Sequence, residues 1–222
     1  KRMEPVTART PRAPRLRHAV HLPGAPRRTD TVGMPRLVSK LFRGPFTVAD
    51  YHRMAETGVL RPDARVELLD GQVIEMSPIG SRHAGTVIRV ERAFGRAAGV
   101  LATVSTQNPV VLDEHSEPQP DVAVLKPRPD DYTSGHPRPA DVLLLVEVAD
   151  SSLEKDREVK IPLYALSGIP EVWLVDLEAG VVEIYREPGE EGYASPRKAF
   201  RGETLTPLLL ESVALPVADI LG

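Results

Sequence analysis

Residues 141–150 read Asp-Val-Leu-Leu-Leu-Val-Glu-Val-Ala-Asp, so Glu147 interrupts a run that otherwise has the length and composition of a buried β-strand. A carboxylate buried there costs on the order of several kcal/mol unless something pairs with it, coordinates it or protonates it. Strand alternation puts Glu147 on one face with Leu145 and Ala149, and Val146 and Val148 on the other. Its functional reading is a metal ligand or an acid–base carboxylate; the alternatives are a structural ion pair to an arginine or a polar strand end. A second acid, Asp121, opens the apolar stretch Pro120-Asp121-Val122-Ala123-Val124-Leu125. Alone it reads as a turn or cap residue, but two carboxylates near adjacent strand ends can hold Mg²⁺. Lys160 follows Glu147 by thirteen positions on a predicted helix. It is either half of an i, i+4 ion pair with Asp156 or an ammonium that neutralises charge on a phosphoryl group and orients water. Two strand-borne acids and a lysine can build a divalent-metal phosphodiesterase site.

Around these three stand weaker candidates. Glu67, in Val-Glu-Leu-Leu-Asp-Gly, is either an outward strand carboxylate or a third acid. His83, before an amphipathic helix, is a candidate phosphate contact or base, although a helix-start histidine is more often neither. Gln107 and Tyr164 are candidate supporting groups. Ser151-Ser152 does not lie in a nucleophile elbow, and the sequence contains no Walker loop, dinucleotide fingerprint or His-Glu-x-x-His motif.

The elements that must position these residues follow from periodicity. Thr47 is the predicted N-cap of a helix through Met54. Arg65 to Met76 reads as a hairpin turning at Asp70-Gly71. Ser81 to Ala98 is a predicted helix with Val87, Ile88, Val90 and Phe94 as its apolar positions and Gly99 as its stop. Strands are expected at about 101–106, 109–112, 120–126 and 141–149, with a Pro/Gly-rich loop from Pro127 to Pro139. A helix over about 154–167 contains Pro162, which requires a kink or a late start. Strands at 171–176 and 181–185 flank Glu178-Ala-Gly180, and short strands end the chain. The mixture of strands and helices predicts an α/β (α+β mixed) fold with a central mixed β-sheet flanked by helices.

Charge divides the chain. Residues 1–36 hold nine Lys/Arg against Glu4 and Asp30, with six prolines, while the whole chain carries −3 and the remainder therefore −10. Residues 1–36 are expected to be a basic, Pro/Arg-rich disordered arm, read either as a DNA-binding tail or as a solvated extension with Met34 as the natural start. Residues 37–222 are expected to form the folded domain. The acidic body counts against strong nonspecific DNA affinity. There is no cysteine, which excludes disulfides and thiolate metal sites. No apolar run is long enough to span a bilayer, so no membrane partner is expected, and a cytoplasmic protein is.

The stretches Glu67-Leu-Leu-Asp-Gly71, Met76-Ser-Pro with His83, Pro120-Asp121-Val122, Val146-Glu147-Val148, Asp156 to Lys160, and Tyr164 through Gly168-Ile-Pro-Glu-Val-Trp-Leu-Val-Asp176 resemble, in order and spacing, the Uma2 family of restriction-endonuclease-like proteins. The likeness spans roughly residues 45–220. It implies a PD-(D/E)XK nuclease fold, with Asp121 as the first acid and Glu147 as the second. The usual lysine stands two positions after the second acid, and here that position holds Ala149. Lys160 matches the position from which family members supply the lysine instead. The resemblance further implies a DNA endonuclease in which Asp121, Glu147 and the Val148 carbonyl hold Mg²⁺ or Mn²⁺, with Glu67 assisting through water, and a homodimer. A catalytically inactive nucleic-acid- or protein-binding module and a phosphodiesterase acting on small substrates are the alternatives.

Overall fold

The computed structural model describes residues 45–222. The expected basic arm, the Met34 start and the domain boundary at residue 37 lie outside the described residues. Six strands form a mixed sheet in the order β10-β7-β6-β5-β4-β3: β3 (Thr103–Thr106), β4 (Val122–Leu125), β5 (Val142–Ala149), β6 (Glu171–Asp176), β7 (Val181–Arg186) and β10 (Arg197–Ala199). Only β5 and β6 run parallel; the other neighbours are antiparallel. Two-stranded pairs β1 (Val66–Leu69) with β2 (Gln72–Glu75), β8 (Pro188–Gly189) with β9 (Gly192–Tyr193), and β11 (Thr204–Leu205) with β12 (Leu215–Pro216) complete the strands.

One face of the sheet is covered by helix α2 (Ser81–Ala98), following α1 (Val48–Glu56). Val87, Val90, Phe94 and Ala98 of α2 lie at helical spacing and pack against Val122, Val124, Val146, Val148, Trp173 and Val175. Phe94 meets Trp173 with ring centroids 5.5 Å apart. Ile88, expected on this face, is 51% exposed: the phase set by Val87, Val90 and Phe94 turns it to solvent. A short helix, α5 (Val217–Leu221), packs along α2, where a strand ending was expected.

The opposite face carries Leu145, Ala149, Val172, Leu174 and Tyr185 beneath a three-part helical segment. That segment is α3 (Leu153–Lys155), a π-helical turn (Asp156–Lys160) and α4 (Ile161–Leu166). The helix does not start late, since helical geometry already begins at Leu153; the irregularity expected from Pro162 takes the form of the π turn just before it, where Ile161 N–H donates to Asp156 C=O five residues back. Glu147, Leu174 and Glu183 lie in one cross-strand row on this face. The π turn delivers Lys160 to the first acid of that row and Arg157 to the last, with Arg157 Nη2 2.9 Å from Glu183 Oε1.

Thr47 caps α1 as expected, in a capping box with Asp50. The β1–β2 turn is Asp70-Gly71 with φ of 47° and 70°, the pattern of a type I′ hairpin. A Cβ at Gly71 would collide with Pro45. Residues 109–112 are not a strand. Gln107 takes φ 53°, ending the β3 ladder, and the amides of Val110, Val111 and Leu112 bond Pro118, Pro137 and Ser116 carbonyls instead. Among the described residues, no helix is long and apolar enough to cross a membrane.

Candidate active site

Asp121 stands immediately before β4, and Val122 pairs with Val146 of β5. Continuing that antiparallel register by one residue sets Asp121 across from Glu147, and alternation gives both the same face. The adjacency that the sequence could only suggest is therefore built into the β4–β5 pairing. Asp121 Oδ2 accepts from Val148 N–H at 2.9 Å and lies 3.0 Å from His83 Nε2. Gln107 Nε2 reaches Oδ1 at 3.4 Å.

Glu147 is 2% exposed. Tyr164 donates its hydroxyl hydrogen to Oε1 at 2.5 Å, and Lys160 Nζ lies 2.7 Å from the same oxygen. Lys160 also donates to the Gln119 carbonyl at 3.3 Å and approaches Glu67 Oε2 at 3.5 Å. It turns to these groups rather than to Asp156, which accepts instead from Ser152 Oγ at 2.6 Å. Glu67 is not an outward carboxylate: it is 1% exposed. Strand β1 is fastened to the segment before β4 by a two-way backbone exchange between Leu68 and Glu117. That fixes Glu67 where Gln119 N–H donates to its Oε2 at 3.2 Å. Lys155 Nζ lies 2.6 Å from its Oε1.

These residues line a cleft of about 170 Å³ that also includes Arg65, Gly80, His83, Gln107, Asp150 and Asp156. The sequence-derived residues Glu67, His83, Gln107, Asp121, Glu147 and Lys160 converge on it, with Tyr164 behind Glu147. Lys155 and the Gln119 backbone were not anticipated. Lys155 and Lys160 are five apart, which no α-helical face brings together; the π turn lets both reach Glu67. Gln119 acts through its main chain, which side-chain chemistry does not signal.

The electrostatics follow from five carboxylates (Glu67, Asp121, Glu147, Asp150, Asp156) around two ammonium groups. Burial pushes the Glu147 carboxyl up to about 8, with Asp156 and Asp121 adding to the shift and Lys160 opposing it. Burial likewise raises Asp156. At Asp121 burial is outweighed by the His83 hydrogen bond and the charges of His83 and Lys160, so its carboxyl stays below the ordinary range. At Glu67 burial is outweighed by Lys160 and Lys155. Burial alone would lower Lys160, but Glu147, Glu67, Asp156 and Asp121 raise it, so the ammonium stays protonated. The hydrogen bond to Asp121 raises His83, while its other nitrogen, Nδ1, is buried without a partner.

Residues 48–218 match the model of the Uma2 family, whose description reads "Putative restriction endonuclease". Among solved structures, the chain is similar to one titled as a putative nuclease belonging to DUF820 from Anabaena variabilis ATCC 29413. The TM-score is 0.62 at 15% identity, covering 80% of this chain and 98% of that one. No curated protein matches.

Proposed function

Because the chain belongs to the Uma2 family, we propose that it is a divalent-metal-dependent endonuclease that hydrolyses DNA phosphodiester bonds at the Asp121–Glu147–Lys160 cleft. The observation that carries this is the 2.7 Å contact between Lys160 Nζ and Glu147 Oε1. It brings a lysine from the π turn to the second acid, although the position two residues after that acid holds Ala149.

The donor set fits a hard divalent cation. Both contacts to the Glu147 carboxylate fall on Oε1, and Asp121 Oδ1 has only the long Gln107 bond, so each acid keeps acceptor lone pairs. No cluster of three or more His, Cys, Asp or Glu groups poised for a metal occurs among the described residues. Mg²⁺ commonly takes one or two carboxylates and retains waters, so two acids suffice. Asp121 and Glu147 would hold Mg²⁺ or Mn²⁺ together with the Val148 carbonyl, which strand geometry directs to the same edge as the Val148 amide that meets Asp121. When bound, the cation supplies Lewis-acid stabilisation and lowers the pKa of a bound water.

The remaining parts belong to the chain itself. Val148 N–H and His83 fix the Asp121 carboxylate. Tyr164 fixes Glu147 from behind. Protonated Lys160 faces charge that develops on the phosphoryl oxygens, and its raised pKa assigns it electrostatic work rather than that of a base. Glu67 is held by Lys155, Lys160 and Gln119 N–H, and so acts first as the strut that aims Lys160. A second reading, a nuclease-like module that binds without cutting, draws on Lys160 and Tyr164 already occupying Glu147 Oε1. The test is incubation of covalently closed circular DNA with Mg²⁺, Mn²⁺ or EDTA. Nicked and linear products with either metal support the endonuclease, and intact circles throughout count against it.

A further inference from the structure

The deep part of the cleft is acidic, yet a phosphodiester substrate is a polyanion, so something at the mouth must hold it. Besides the buried Lys160 and His83, two basic side chains line the cleft: Arg65 and Lys155. Arg65 lies two residues before Glu67, just outside β1, and its carbonyl accepts from Met76 N–H, which continues the β1–β2 pairing and sets Arg65 on the same side as Glu67. It is exposed and makes one polar contact, Nη1 to the Ser77 carbonyl at 3.0 Å. Most of its donor fork is therefore uncommitted. Lys155 reaches the cleft through the π turn, and its side chain remains 28% exposed, against 4% for Lys160. Of the two ammonium groups on Glu67, Lys155 is the one solvent, and hence a ligand, can reach. With Lys155 withdrawn, Lys160 and Gln119 N–H still face Glu67 Oε2.

Resting on the nuclease reading above, we propose that Arg65 and Lys155 form the phosphate-binding lip of the cleft. They contact backbone phosphates of a nucleic-acid strand on either side of the bond presented to Asp121 and Glu147. Lys155 exchanges Glu67 Oε1 for a phosphate oxygen as the strand enters. These contacts carry no base readout, so they set affinity and register but not sequence preference.

The experiment is fluorescence anisotropy of a labelled DNA duplex in EDTA, which prevents cleavage, across a range of KCl concentrations. The full chain is compared with Lys155→Ala, Lys155→Arg, Arg65→Ala and Arg96→Ala, the last an exposed cation at the far end of α2. Each phosphate contact removed lowers the slope of log K against log salt by about 1. The expected result is that decrease for Lys155→Ala and Arg65→Ala, recovery in Lys155→Arg, and no change for Arg96→Ala. A role confined to holding Glu67 would move thermal stability but not the slope. Unchanged slopes in Lys155→Ala and Arg65→Ala, in a protein that binds or cuts DNA, overturn this inference alone. A full chain that neither binds nor cuts overturns the nuclease reading with it.

Discussion

Lys160→Met is the most revealing single perturbation of the buried centre. The substitution keeps an unbranched apolar stem of similar length and removes the ammonium lying 2.7 Å from Glu147 and 3.5 Å from Glu67. Breaking a buried ion pair by deleting one partner typically costs about 3–5 kcal/mol, because a charge is left uncompensated. Here two features pull toward the lower end. Lys155 and Gln119 N–H still serve Glu67. Glu147, already pushed up to about 8, takes a proton instead of remaining charged. The expected loss at pH 7 is about 3 kcal/mol, which for a domain of this size lowers the melting temperature by about 6–12 °C. The pH dependence is specific. Between the ordinary carboxylate value of 4.5 and about 8, the native state binds more protons at Glu147 than the unfolded state does. Stability therefore falls as pH rises through that window, and Lys160→Met, which raises Glu147 further, extends the fall to higher pH. Urea denaturation from pH 5 to 9 measures both quantities. Adding Glu147→Gln to Lys160→Met restores most of the loss and flattens the profile. A Lys160→Met variant within about 0.5 kcal/mol of the parent, the scale of an ordinary surface substitution, would refute this picture of the site.

Three further outcomes are expected. Asp121→Asn removes the carboxylate that raises His83, so the imidazole pKa followed by NMR falls toward 6.5, while circular dichroism shows the fold retained. Phe94→Ala empties the contact with Trp173 and costs about 3–5 kcal/mol in urea unfolding. Gly71→Ala places a Cβ at φ 70° against Pro45 and destabilises by more than about 1 kcal/mol, measured as a lower melting temperature.

Much of the site was legible because strands broadcast their pattern. Glu147 stands out within β5 since every neighbour in that strand is apolar, and period two gives its face without further information. The Asp70-Gly71 turn is equally local, because its positive φ angles demand those residue types. Lys160 was legible in identity but not in reach. The π turn that delivers it depends on Pro162 and on packing against the sheet, and neither appears in a 3.6-residue period. Lys155 was missed for the same reason. Residues 109–112 were misread because a short apolar run looks alike in a strand and in a buried loop. Gln107 at φ 53° decides between them, and a glutamine does not advertise that conformation. Ile88 shows the converse error, an apolar residue adjacent to a buried face but outside its phase.

The proposed function requires Asp121, Glu147 and Lys160 to act together on a phosphodiester. The most direct measurement is the cleavage rate of supercoiled plasmid in Mg²⁺ and in Mn²⁺ by the full chain and by Asp121→Asn, Glu147→Gln and Lys160→Met, purified in parallel and confirmed folded. Metal-dependent nicking by the parent chain is expected, with a drop of at least about 100-fold in each variant, the scale expected when one preorganised charge is removed. Equal rates in all four preparations would rule out catalysis at this cleft and place the activity elsewhere.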